Sequence, residues 1–299
     1  MTARIALATA AEFPDLDDDG PALLAALESL GIAAEPVVWT DALVDYSRYD
    51  LVVVRSTWDY HHQLDEFLAW VERVAATTLL ANAAPVLAWN THKTYLRELA
   101  AAGLPVVDTT WLEPGDAFTV PAAGEYVVKP AVSAGSRNTN RYLAGDHDDL
   151  ATDHVRSLLA AGRTVMVQPY LDAIDTDGET ALVFFGGVFS HAVRKGPLLE
   201  PAMALVNDAY KPETMQRRDP SEAELAVAGR VLEALPSTGT GVARRDLLYA
   251  RVDLVPGADG SPVLLELELT EPSMFLSYDG ADGAAAAGRF AAAIAKVAR

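Results

Sequence analysis

Residues 247–255 and 263–269 carry the pattern that most constrains this chain. Each is a strand-length run rich in leucine and valine. The Pro256-Gly257-Ala258-Asp259-Gly260 stretch between them has turn chemistry, so the pair predicts an antiparallel hairpin. Residues two apart on a strand share a face. That rule sets Arg251 beside Asp253 and Glu266 beside Glu268, and the turn folds the two pairs together. Three carboxylates on one face repel one another unless a cation sits among them. Hard oxygen ligands favour Mg²⁺, with Mn²⁺ as the alternative, which makes Asp253, Glu266 and Glu268 candidate metal ligands. A solvated outer face of an amphipathic hairpin is the competing reading.

Upstream, strands at 4–9, 34–38 and 51–54 alternate with helices at 21–30 and 64–74, the signature of a parallel sheet. Ligands collect at the carboxyl ends of such strands. Arg55, Ser56, Trp58, Asp59 and Tyr60, directly after the third strand, are therefore candidate substrate-binding residues, against a plainer reading as a polar loop. Asn90 and Thr91 are placed to cap a helix over 92–102 that contains Lys93. A strand at 126–128 leads into Lys129 and a Gly/Ser loop at 133–139, whose backbone N–H groups, at Ser136 among others, suit phosphate oxygens. No P-loop sequence occurs. A strand at 164–167 ends at Gln168-Pro169-Tyr170-Leu171, Gly186-Gly187 joins strands at 180–185 and 188–193, and helices are expected at 222–235 and 284–298.

Charge narrows the partners. The 299 residues carry a net charge of −19, which disfavours nucleic acid and anionic membrane surfaces and leaves any phosphate ligand to a few local cations. Only five of the 23 basic residues are lysines, Lys93, Lys129, Lys195, Lys211 and Lys296, so a lysine in an apolar or Gly-rich setting attracts suspicion. The absence of cysteine excludes disulfides, thiolate zinc sites and cysteine nucleophiles. There is neither a signal-peptide pattern nor an apolar run of about 18 residues, so a cytoplasmic protein is expected.

In order and spacing, residues 90–272 resemble the ATP-grasp superfamily of ligases. The resemblance implies a mixed α/β and α+β fold: an N-terminal parallel-sheet domain (1–90), a central lobe with the phosphate loop (91–172) and a C-terminal lobe with the metal site (173–299), the two lobes clasping ATP. It implies that Lys93 contacts the nucleotide and Lys129 the phosphates. Gln168, Pro169, Tyr170 and Leu171 would hold adenine, Glu179 the ribose with Asp175 as second choice, and Asp253, Glu266 and Glu268 the metal. Glu268 departs from the family, where that position is often Asn. An arginine two residues before the first metal acid, here Arg251, resembles the glutathione synthetase and D-alanine ligase branch, where it stabilises the transferring phosphoryl group.

More narrowly, the stretches 54–60, 88–96 and 268–274 resemble the cyclo-ligases of D-cycloserine biosynthesis, with likeness over nearly the whole chain. This adds Ser273 to the substrate set and makes Arg55, Arg194 and Lys195 candidates to orient the substrate or its acyl phosphate. The implied reaction is ATP-dependent closure of O-ureido-D-serine, a small amino-acid-like substrate, into D-cycloserine, with release of ADP, phosphate and the carbamoyl group. A peptide-type ligase with a separate amine substrate and a non-catalytic nucleotide-binding module are the alternatives. His92 and His191 read as ordinary polar residues, and a homo-oligomer is left open.

Overall fold

The computed structural model describes residues 2–199, 214–280 and 283–298. Lys211 lies outside them. The N-terminal part runs β1 (Arg4–Thr9), α1 (Gly20–Ser29), β2 (Ala33–Val38), β3 (Leu51–Val54), α2 (Leu64–Ala75) and β4 (Leu79–Ala81). Its strands form a parallel sheet of order β2-β1-β3-β4. β3 is buried along its whole length and β1 nearly so, because helices cover both faces; that is why they read as unbroken apolar runs instead of alternating ones.

The expected helix over 92–102 forms differently. Pro85 starts an earlier helix, α3 (Ala84–Asn90), and α4 (Tyr95–Ala101) begins two residues after Lys93, which stands in the connection. Asn90 cannot cap because its amide is committed elsewhere: Nδ2 donates to Leu267 O at 2.8 Å and Oδ1 accepts from Leu269 N at 2.6 Å.

β5 (Thr110–Leu112), β6 (Glu125–Pro130), β7 (Asn140–Leu143) and β8 (Val165–Pro169) make an antiparallel sheet of order β5-β8-β6-β7, backed by α5 (Asp148–Ala160). After α6 (Ala173–Thr176) come β9 (Glu179–Phe185), β10 (Val188–Lys195), β11 (Met215–Arg218), α7 (Glu222–Ala234), β12 (Tyr249–Pro256), β13 (Pro262–Glu268) and α8 (Ala284–Val297). Their antiparallel sheet has the order β11-β10-β9-β12-β13. Gly186 and Gly187 both adopt positive φ, +57° and +73°, as a two-residue hairpin turn matched to the strand twist demands. On the last pair, Arg251 faces Glu268 and Asp253 faces Glu266.

One apolar cluster joins Ile5, Leu7 and Leu23 of the first sheet layer to Phe185, Tyr249 and the face of α8, where Phe290 stacks on Phe185 at 4.5 Å. The acids of β13 are thus aimed from a strand whose sheet is bolted to the N-terminal part. Among the described residues no helix is long and apolar enough to cross a membrane.

Candidate active site

The three sheets meet around a cavity of about 780 Å³. Its wall includes Lys93, Lys129, Ser136, Gln168, Pro169, Tyr170, Leu171, Glu179, Lys195, Arg251, Glu266, Glu268, Trp58, Tyr60 and Ser273, so fifteen side chains from distant stretches of sequence converge.

The cations fall into two states. Lys93 Nζ binds Glu266 Oε1 and Ser133 O, both at 2.9 Å. Lys195 Nζ binds Glu179 Oε2 at 2.7 Å and Asp253 Oδ2 at 3.0 Å. Arg251 clamps Asp253 through Nε at 2.9 Å and Nη2 at 3.0 Å, reaches Glu268, and donates to Ser273 O at 3.1 Å. Lys129 differs. It is buried, and among the described residues its ammonium makes no hydrogen bond or ion pair. Burial pulls its pKa below the ordinary lysine value, with Glu266 opposing the shift. A cation desolvated without a partner is costly to the folded protein, and an anionic ligand removes that cost.

The acids are in excess. Burial, with repulsion from Glu266 and Asp253, pushes Glu268 up to about 7 against the pull of Arg251. Burial and the charge of Glu268 push Glu271 up to about 8, although Tyr60 hydrogen-bonds it. Asp253 goes the other way: Arg251 and Lys195 overcome its burial and hold it at about 2. Among the described residues no three His, Asp or Glu side chains converge as a ready metal cluster. Glu266, whose pKa Lys93 and Lys129 lower against its burial, and Glu268, crowded by Glu266 and Asp253, nevertheless present hard oxygen donors to the cavity, which fits a divalent cation. Asp253 shares their sheet face but is 1% exposed and occupied by its two cations.

Beside Lys129, the loop after β6 turns through left-handed backbone at Gly135, Ser136 and Asn138, with φ of +62°, +57° and +54°. Such turns direct successive N–H groups to one side, the geometry that cradles anions. Arg137 of this loop donates toward His61 and His62 Nε2 at 3.4 and 3.2 Å, tying it to the N-terminal part.

Six expected site residues stand outside the cavity wall. Arg194 neighbours Lys195 on a strand, so the two point to opposite faces; its guanidinium donates to Thr176 O and Asp177 O at 2.7 and 2.6 Å. Asp59 accepts from Trp39 Nε1 at 2.7 Å, and buried Ser56 bonds Thr9. Arg55 is 1% exposed, donating to Pro272 O at 3.2 Å behind Asp17 and Asp19. Asp175 spends its carboxylate on Arg141 and Tyr170, and Asp253 is described above. Conversely, Phe13, Asp17, Arg137 and Glu271 line the cavity without having been singled out. The acidic run at 15–19 follows the first strand of a parallel sheet, and the rule that pointed to Arg55 could have found it.

The cycloserine biosynthesis protein DcsG of Streptomyces lavendulae is 42% identical over 302 residues, covering 98% of both chains. A family model described as the N-terminal domain of the D-cycloserine synthetase DcsG matches residues 5–82. The chain belongs to the D-cycloserine synthetase family. A crystal structure of the D-cycloserine synthetase DcsG superposes with a TM-score of 0.86 at 40% identity, covering 99% of this chain and 100% of that one. The D-alanine–D-alanine ligase of Bacillus anthracis complexed with ATP superposes at 0.66 with 13% identity, covering 99% and 97%, which shows that the D-cycloserine synthetase fold here is the ATP-grasp fold.

Proposed function

We propose that the chain is an ATP-dependent cyclo-ligase. It phosphorylates the carboxylate of O-ureido-D-serine and lets the ureido nitrogen of the same molecule displace the phosphate, closing the ring; water then takes the carbamoyl group from that nitrogen and leaves D-cycloserine. The unpaired, buried Lys129 carries this reading, because every other lysine or arginine described in the wall has a partner and this one awaits an anion. Family membership and the ATP-grasp fold support it.

On this reading the triphosphate meets Lys129, Lys93 and the N–H groups around Ser136, adenine lies against residues 168–171, and Glu179 takes the ribose. Glu266 and Glu268 would hold Mg²⁺, which when bound neutralises phosphate charge. Arg251, fixed by Asp253 and Ser273, offers its guanidinium to the charge that develops on phosphoryl transfer. The loop at 133–139 keeps water from the activated carbonyl. Ring closure needs no second substrate, and a well-oriented intramolecular attack is worth roughly 7–11 kcal/mol. An ATP-consuming step of this kind belongs in the cytoplasm, and residues 1–90 supply its substrate side.

The test uses the purified chain with O-ureidoserine, ATP and Mg²⁺ and no added amine. ADP, phosphate and cyclic product should form in equal amounts. ADP released only after a second amino acid is supplied would replace cyclisation with peptide-type ligation.

A further inference from the structure

Of the four cavity cations Lys93, Lys129, Lys195 and Arg251, three come with acids, and only Lys129 has none paired to it among the described residues. Lys129, Lys195 and Arg251 enter the cavity from β6, β10 and β12, and Lys93 from the turn after α3. The loop after β1 and the turn after β3 add Phe13, Asp17, Trp58 and Tyr60 to the wall. Phe13 and Trp58 meet edge to face at 4.9 Å and stiffen this wall, behind which Arg55 is sealed.

Asp17 is the member of the wall whose hydrogen bonding is incomplete. Its side chain is 7% exposed, and Oδ2 stands 3.5 Å from Arg55 Nη2, but Oδ1 has no hydrogen-bond partner. Asp19, two residues on, has both oxygens taken by the N–H groups of Met274 and Leu276, at 2.8 and 2.7 Å. A buried carboxylate oxygen without a donor is rare and destabilising, and in a cavity wall a ligand can supply the donor. Burial also leaves the Asp17 carboxyl raised to about 6 with Arg55 beside it, the behaviour of an acid short of a cation.

Building on the cyclo-ligase reading above, we infer that Asp17 receives the α-ammonium group of the substrate, so that the N-terminal wall selects α-amino acids and turns their carboxylate toward Lys129. In this orientation the ammonium meets the Asp17 oxygen that lacks a donor and the carboxylate meets the unpaired Lys129. The reverse sets its carboxylate against Asp17 and its ammonium beside Lys129, the one of the four cations with no acid paired to it among the described residues. Arg55 then acts indirectly, by holding Asp17 in place.

The experiment compares O-ureidoserine with 3-(ureidooxy)propanoate, which keeps the carboxylate and the ureido nitrogen but lacks the amine. ADP and ring formation are followed in the wild type, in Asp17→Asn and in Asp15→Asn, whose residue is exposed. The wild type should prefer the amino compound by about ten- to a hundred-fold in kcat/KM, mostly through KM. Asp17→Asn should lose most of that preference with ATP affinity unchanged by calorimetry, and Asp15→Asn should keep it. A wild type that handles both compounds equally overturns the inference even if Asp17→Asn fails to fold, and so does a folded Asp17→Asn that retains the preference. No ADP from either compound in the wild type would instead sink the cyclo-ligase reading itself.

Discussion

Lys129 and Glu271 show the same physics with opposite signs, each a buried ionisable group whose charge the protein alone does not balance. Lys129→Met should weaken ATP binding by about tenfold or more in calorimetric titration, while Lys296→Met, at an exposed position of α8, should leave it unchanged. Equal affinities would remove Lys129 from the phosphate site. For the acids, unfolding returns Glu268 and Glu271 to the ordinary value of 4.5 from about 7 and about 8. The folded state then binds more protons between those values. The stability this contributes is complete below about pH 4.5 and is lost as pH rises through about 7 to 8. The ligand-free protein should therefore melt lower at about pH 8.5 than at about pH 6, and Glu271→Gln should flatten the difference; a slope that Glu271→Gln leaves unchanged assigns it to other groups. Lysine scarcity drew attention to all five lysines; Lys93, Lys129 and Lys195 line the cavity, Lys296 is exposed and Lys211 lies outside the described residues. Asp17 and Glu271 were harder to find, because an acid's burial is decided by what packs over it and sequence patterning does not show that.

Elements were most legible where a local pattern and the tertiary contacts agree. The β12–β13 hairpin follows from strand alternation and the turn chemistry at 256–260, which bring the two charged pairs together; the register then sets Asp253 opposite Glu266. The helix expected over 92–102 failed because Asn90, locally a good cap, is committed to β13 and the residue after it. Arg194 stands outside the cavity wall for a simpler reason, since period-two alternation separates it from Lys195. The open end of β9 and β10 depends on one residue. Gly178 holds φ at +71°, and a Cβ there would lie 2.3 Å from Lys195 O. Gly178→Ala should cost about 1–3 kcal/mol in denaturant unfolding and weaken ATP binding, because the displaced strands carry Glu179 and Lys195. Wild-type stability in that variant would mean the turn relaxes without moving the strands.

The molecule works as a unit because a few buried polar side chains fasten the N-terminal part to the strands that carry the acids. Asn82 Nδ2 donates to Tyr249 O and Leu269 O at 2.9 and 2.7 Å, and its Oδ1 accepts from Leu248 N at 2.8 Å. Asn90 and Asp19 make comparable ties to residues 267–269 and 274–276. None of these was legible in the sequence, where each residue resembles an ordinary cap or turn former. Asn82→Leu keeps the approximate volume but leaves two carbonyls and one N–H buried without partners, at roughly 1–3 kcal/mol each. The thermal midpoint should drop by many degrees while secondary structure persists at low temperature. ADP release should fall more than the folded fraction does, because residues 267–269 lead from Glu266 and Glu268 to Glu271 and Ser273, and loosening them misaligns the acids with the N-terminal wall. If activity per folded molecule stays at the wild-type level, the ties secure the fold without aiming the site.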